Sequence, residues 1–257
     1  MVATNVAQRT TISQTWIIAE PSAPSDALAL VVAPDTIQHN LIDDAVLALV
    51  RAVEAKDPIT GGHLHRMAAY ALLVGRRLGL SDSALEVVCC GALLHDVGKI
   101  GIADALLQKP GRLTDDEYRQ MQQHPLMGEQ MIASLPIAAL IAPIVRGHHE
   151  RWDGRGYPDA LAGEAIHPGA RIVAVIDSFD AMMAQRPYNM PMTIDAAMMC
   201  LHAGAGTQWD ADVVDALIDC LLTIIGEREC VVGADQQRND LATERLNEWL
   251  QTTITEY

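Results

Sequence analysis

The sequence predicts an all-α protein, a helical bundle preceded by a short segment that holds two candidate strands. Three observations predict it. Half of the residues are hydrophobic, while aromatics make up 4% and include one phenylalanine. Such a composition suits helix-on-helix packing better than a sheet sandwich. From Leu41 onward apolar residues recur at helical spacing. Capping residues, glycines and prolines punctuate that pattern. At 257 residues the chain lies at the upper end of a single domain and can bury about 70–75% of its unfolded surface.

Residues 1–40 differ from the rest. TTISQTWII and ALALVVA read as short strands with PSAPSD between them as a loop. The segment is a small accessory lobe or a partly disordered lead-in, too short for a full phosphoacceptor receiver domain. Residues 41–235 form the main domain, and residues 236–257 a polar C-terminal helix or tail. LIDDAVLALVRAVEAK opens the main domain as a helix, DPITGG interrupts it, and a second helix starts near His63. SDSALEVVCCGALLHDVG is a third, capped by Ser81 or Asp82. Thr114 and Glu117 make a capping box before the helix that carries His124. PIAALIAPIVRGHH and RIVAVIDSFDAMMA are further helices, followed by one from Ile194 and by WDADVVDALIDCLL.

The net charge of −15 argues against a nucleic-acid polymer or an anionic membrane as partner, since both would be repelled. A small anionic substrate remains open, because metals and a few bases can meet its charge locally. Five cysteines without a CxxC pair point to a reducing, cytoplasmic setting. Cys89 and Cys90 read as small core residues. No apolar run has transmembrane length, and the N-terminus lacks the layout of a secretion signal.

Seven residues stand out as candidate ligands: His63, His95, Asp96, His124, His148, His149 and Asp177. Five imidazoles and two carboxylates suit first-row divalent metals such as Fe, Mn, Ni or Zn better than magnesium. Successive ligands on different segments lie 24 to 32 residues apart, about one helix plus a loop, so a bundle can bring them to one cavity. A lone histidine on an apolar helix is more often a packed core residue than a ligand. His39, His65, His167 and His202 are read as ordinary packing or surface residues, and Asp153 as a turn residue. The joint pattern is what raises the odds.

His63, HDVGK at 95–99, Asp177 and HHERWDGRGYP at 148–158 together resemble the HD superfamily of metal-dependent phosphohydrolases, and within it the HD-GYP branch. DPITGGH at 57–63, KPGRLT at 109–114, RPY at 186–188 and AGTQWD at 205–210 extend the likeness from about Asp43 to Leu222. The resemblance implies an all-α bundle that hydrolyses cyclic di-GMP to linear pGpG, and onward to GMP in some members. It implies two divalent metal ions, iron or manganese. One is held by His63, His95, Asp96 and Asp177, the other by Asp96, His124, His148 and His149, with Asp96 bridging. Lys99, Tyr157, Arg186, Asp57 and Asp180 are the implied substrate residues, with Lys99 and Asp96 closest to the chemistry. Gly154 and Gly156 would give the GYP loop conformations barred to other residues. A diguanylate cyclase of the GGDEF type, or another signalling protein, is the implied partner of that loop. Monomer and dimer are both compatible with the sequence.

In such a site a phosphodiester, itself anionic, is attacked by a hydroxide bridging two metals about 3.5–4 Å apart. Lys99 also has a plainer reading, a charge favourable at a helix C-terminus, and Asp57 a plainer one as a helix terminator before Pro58. Two competing functions remain. A non-catalytic sensor or interaction module would tolerate loss of ligands, yet every ligand and Tyr157 is present. A phosphohydrolase of mononucleotides with one metal would not need His124, His148 and His149. Some family members recruit a third metal with a glutamate four residues before the first histidine. That position is Ile59 here, so the expectation is two metals, with pGpG the main product.

Overall fold

The computed structural model describes residues 34–57, 62–184, 190–226 and 236–255. The two candidate strands before residue 34, Ile59 and Arg186 with the RPY motif lie outside the described residues. Those that are described form helices, joined by turns and two isolated β-bridges, Asp153 with Ala162 and Ala205 with Trp209. In chain order they are α1 (Pro34–Lys56), α2 (His63–Arg77), α3 (Asp82–Leu94), α4 (Asp104–Leu107), α5 (Asp115–Met121), α6 (His124–Ile132), α7 (Ala138–Gly147), α8 (Pro168–Met183), α9 (Ile194–Gly204), α10 (Ala211–Ile225) and α11 (Gln236–Thr255). Short 3₁₀ turns cover Val97–Gly101 and Gly163–Ala165.

Local chemistry accounts for the boundaries. Ser81, not Asp82, caps α3, accepting from the Ala84 amide. That helix ends at Leu94, before the HDVGK motif, whose last residues tighten into the 3₁₀ turn. The capping box of Thr114 and Glu117 forms, but the helix it starts ends at Met121. His124 instead opens a separate helix, with Pro125 in its first turn. Proline lacks an amide hydrogen and cannot continue the preceding helix, yet it suits a first turn. The main domain's first helix is described from Pro34, ahead of the Leu41 start read from periodicity.

Two apolar clusters hold the bundle. One joins α2, α8, α9, α10 and α11 around Tyr70, Phe179, Ile172, Ile176 and Leu217. The other joins α1, α3, α6 and α7 around Val50, Val53, Leu94, Ile132, Ile141 and Val145. The polar α11 belongs to the first cluster. Its Leu246 and Leu250 are buried, and Trp249 stacks on Tyr70 with ring centroids 6.3 Å apart. One apolar stripe thus docks a helix whose mean composition is polar.

A close backbone contact joins the two regions that carry His95–Asp96 and His124. A Cβ placed on Gly98 would fall 1.8 Å from the His124 carbonyl oxygen and 2.5 Å from the Gly128 amide nitrogen. Only a residue without a side chain allows the 3₁₀ turn and α6 to meet this closely. Cys89 and Cys90 are half-buried and pack at the edges of the two clusters. Among the described residues no helix is long and apolar enough to cross a membrane.

Candidate metal centre

Helix ends converge on one place. His63 begins α2, His95 and Asp96 follow α3, His124 begins α6, His148 and His149 follow α7, and Asp177 projects from the middle of α8. All seven predicted ligands are brought together. They fall into two groups, Asp96 with His124, His148 and His149, and His63 with His95 and Asp177. Within each group one ligand atom per residue lies within 4.8 Å of the others. Asp96 stands between them. Its Oδ2 is 3.3 Å from His95 Nε2, while its Oδ1 is 3.3 Å from His124 Nε2 and 3.9 Å from His148 Nε2. Asp177 Oδ1 lies 3.5 Å from His63 Nε2 and 3.9 Å from His95 Nε2.

The imidazole tautomers follow from the hydrogen bonds behind the site. The Nδ1 atoms of His95, His124 and His148 lie 2.7, 2.8 and 2.7 Å from the carbonyl oxygens of Ala92, Met121 and Val145. A carbonyl only accepts, so each Nδ1 is the donor and a neutral ring leaves its Nε2 as a lone pair. His124 Nε2 and His148 Nε2 then face each other at 3.2 Å with no proton to share. Among the described residues His95 Nε2 is fully buried and makes no well-aligned hydrogen bond, although Asp96 Oδ2 lies 3.3 Å away. Buried polar atoms are rarely left this way. Lone pairs aimed at one another, beside two carboxylates, fit a divalent cation in each group.

The electrostatics agree with that fit. Burial, reinforced by the neighbouring imidazoles, holds the His148 pKa well below the usual histidine value, and burial with His124 takes His149 down to about 3. Both are therefore neutral, the form that ligates. Burial would also lower His95, but Asp96 and Asp177 outweigh it and raise it to about 8. That corner attracts positive charge. Burial would raise the Asp96 carboxyl, yet Lys99 and the surrounding histidines hold it well below its ordinary range.

Lys99 Nζ lies 2.6 Å from Asp96 Oδ2 and 3.8 Å from Asp57 Oδ2. It lies in the last turn of the 3₁₀ segment, as the plainer reading had it, and also touches the Asp96 carboxylate. Tyr157 stacks on His149 with centroids 4.8 Å apart and meets the exposed Tyr118 edge-on at 6.4 Å. Asp180 sits behind the site. Its Oδ2 is 2.7 Å from His63 Nδ1, and Arg66 grips both its oxygens at 2.6 and 2.9 Å. Both oxygens of Asp180, which the resemblance implies as a substrate residue, have protein partners here. His65 pairs with Glu54 at 3.6 Å, and His167 caps α8 by accepting from the Gly169 amide.

The GYP loop is built as a fixed rim. Glu150, 3% exposed, accepts from the amides of Asp159 at 2.7 Å and Leu161 at 3.0 Å. Arg146 holds Asp159 from outside through two hydrogen bonds of 2.6 and 2.7 Å. Asp153 is the turn residue expected, accepting from the Arg155 amide and pairing with Arg151. The AGTQWD segment supports the rim, because the Trp152 and Asp153 amides donate to the Gln208 and Thr207 carbonyls. Gly154 has φ +74, as a left-handed glycine should. Gly156 is needed for a different reason from the one expected. Its Cβ would lie 2.4–2.6 Å from backbone atoms of His149, Glu150 and Arg151. Space rather than φ selects glycine there.

Sequence reading missed Glu150, Arg66 and Tyr118. Glu150 directly follows the paired histidines and looks like a solvated charge. Arg66 lies one turn after His63, and that spacing was its available signal.

Comparisons with known proteins bear on the family and the fold. Residues 48–213 match the model of the HD domain. The chain belongs to the HD domain family. Within that family its paired histidines and GYP loop put it in the HD-GYP branch. It is 46% identical over 175 residues to the cyclic di-GMP phosphodiesterase response regulator RpfG of Xanthomonas campestris pv. campestris, covering 66% of this chain and 46% of that protein. It is 38% identical over 189 residues to the 3'3'-cGAMP-specific phosphodiesterase 3 of Vibrio cholerae, covering 72% of this chain and 41% of that one. The matches thus span less than half the length of either relative. The fold resembles the crystal structure of the cyclic GMP-AMP-specific phosphodiesterase V-cGAP3 of Vibrio cholerae, with TM-score 0.58, 16% identity and coverage of 82% of this chain and 60% of that one.

Proposed function

We propose that this chain is a metal-dependent phosphodiesterase that hydrolyses cyclic di-GMP to linear pGpG, using two divalent cations, iron or manganese, per chain. One observation carries the reading. Asp96 turns one carboxylate oxygen toward each of two ligand groups. A sensor module of the same fold would need neither the full ligand set nor that bridge. The name of the relative RpfG supplies the substrate class.

Cations in those groups would neutralise phosphate oxygens and acidify a water. The protein's part is to hold and orient. Neutral His148 and His149 present lone pairs, and the backbone carbonyls behind His95, His124 and His148 keep the rings in place. Lys99, beside the bridging carboxylate, donates to a substrate phosphate oxygen. Tyr157, against His149 at the rim, packs on the substrate. Asp57, near Lys99, and Arg186 complete the binding residues. The fixed GYP rim is a preformed surface for a GGDEF or other signalling partner in a cytoplasmic setting.

An assay of the metal-reconstituted chain tests this. Cyclic di-GMP should give pGpG, and Asp96→Asn should lose both metal and activity. An Asp96→Asn protein with full metal content and full hydrolysis would overturn the dinuclear reading. Faster cleavage of 3'3'-cGAMP would move the substrate to the class named for the Vibrio cholerae relative.

A further inference from the structure

The ligand histidines are not held alike. His95, His124 and His148 each donate Nδ1–H to a carbonyl three residues earlier in their own segment. His63 instead turns its Nδ1 to Asp180, a residue 117 positions away on α8. The same helix presents Asp177 to the opposite nitrogen, with its Oδ1 3.5 Å from His63 Nε2. One imidazole is thus spanned by two carboxylates three residues apart on one helix. Asp180 is itself clamped by Arg66, one turn beyond His63 on α2, with Nε to Oδ1 at 2.6 Å and Nη2 to Oδ2 at 2.9 Å. Asp180 is 3% exposed, so its carboxylate is shielded from water, while Arg66 reaches it from a part-exposed position on α2.

We propose that Asp180 and Arg66 are a positioning pair that sets the metal affinity of the His63, His95 and Asp177 group separately from the other group. The inference rests on the metal-binding part of the proposed function. A carboxylate behind a ligating histidine fixes its tautomer and ring angle and raises its basicity. Asp180 does this for His63 alone. Arg66 supplies the countercharge that keeps Asp180 an acceptor rather than a group that strips the imidazole of its proton. His124 and His148 depend on backbone carbonyls and do not share this control. Asp96, which serves both groups, is untouched by Asp180 in the described contacts.

The experiment is a titration of metal-free protein with Mn(II), followed by calorimetry and by metal content after gel filtration. Wild type should bind two ions. Asp180→Ala should bind one with wild-type affinity and the second about 10–100-fold more weakly. Arg66→Ala should shift the same ion in the same direction. Asp180→Asn keeps an oxygen for the His63 Nδ1–H and should recover part of the loss. A general loss of structure would weaken both ions together and deny that recovery. The inference is overturned if Asp180→Ala binds two ions as wild type does, if both ions weaken equally, or if wild type binds fewer than two. Should Asp180→Ala fail to fold, Asp180→Asn and Arg66→Ala decide it by the same split. A wild type that hydrolyses no cyclic dinucleotide, while Asp180→Ala still weakens one ion, would sink the proposed activity and leave this inference standing.

Discussion

His124 Nε2 and His148 Nε2 face each other at 3.2 Å while both Nδ1 atoms donate to backbone carbonyls. Two lone pairs at that distance repel, and the bundle holds them there through helix ends fixed elsewhere. A cation held by the group of Asp96, His124, His148 and His149 would turn that repulsion into binding energy that belongs to the folded state alone.

Metal removal should therefore destabilise the fold. At a free metal concentration about 1,000 times Kd the stabilisation is about 4 kcal/mol. For a domain of this size that corresponds to a fall in Tm of about 10 °C on chelation. Circular dichroism melts with and without chelator measure it. An unchanged Tm would mean that the two groups do not bind metal in the native state.

Gly156→Ala should displace the GYP rim. Its Cβ would lie 2.4–2.6 Å from three backbone atoms that cannot move like a side chain. The cost expected is about 1–3 kcal/mol, with a fall in kcat/KM as Tyr157 shifts. Metal content should hold better than activity. Denaturant melts, metal analysis and kinetics on one preparation separate the three effects.

Glu150→Ala removes the acceptor for two amides in the same rim. Both bonds are part-buried, so losing each acceptor should cost about 1 kcal/mol. Glu150→Gln keeps an oxygen and should lose less. Amide exchange at Asp159 and Leu161, fast in the alanine variant and slow in wild type, is the direct measurement.

Glu117 gives a pH-dependent test of the KPGRLT segment. Its side chain accepts from Lys109 at 2.5 Å and from the Thr114 amide at 2.7 Å, and these contacts take its pKa down to about 2. A carboxyl lowered in the folded state contributes stability above its unfolded value near 4.5, and loses it as pH falls toward 2. An NMR titration of the Glu117 carboxyl should show a midpoint near 2, and Lys109→Ala should move it upward. A midpoint at the ordinary value in wild type would contradict the geometry.

The proposed two-metal count bears on products. Glu54 pairs with His65 and stands outside both ligand groups. With two cations the cyclic diester is better matched than the linear product, whose terminal monoester carries more negative charge. A time course should show pGpG accumulating before any GMP. GMP appearing without detectable pGpG would overturn this expectation.

The residue types decided much of this protein by themselves. Helical periodicity, the Thr114 capping box and the separated histidines and aspartates are local or additive signals. They were legible because ligand chemistry and caps depend on side-chain identity. The placement of His124 was misread, since a capping box marks where a helix starts and says nothing of where Pro125 will restart one. Tertiary structure alone decided what stands behind the ligands. Asp180 meets His63 and Arg66 because α8 passes α2 at that height. Gly98 and Gly156 are required by backbones distant in space or folded back on themselves, and Glu150 is buried by a loop that closes over it. Such choices depend on contacts between segments, and a short run of sequence carries no record of what it will be packed against.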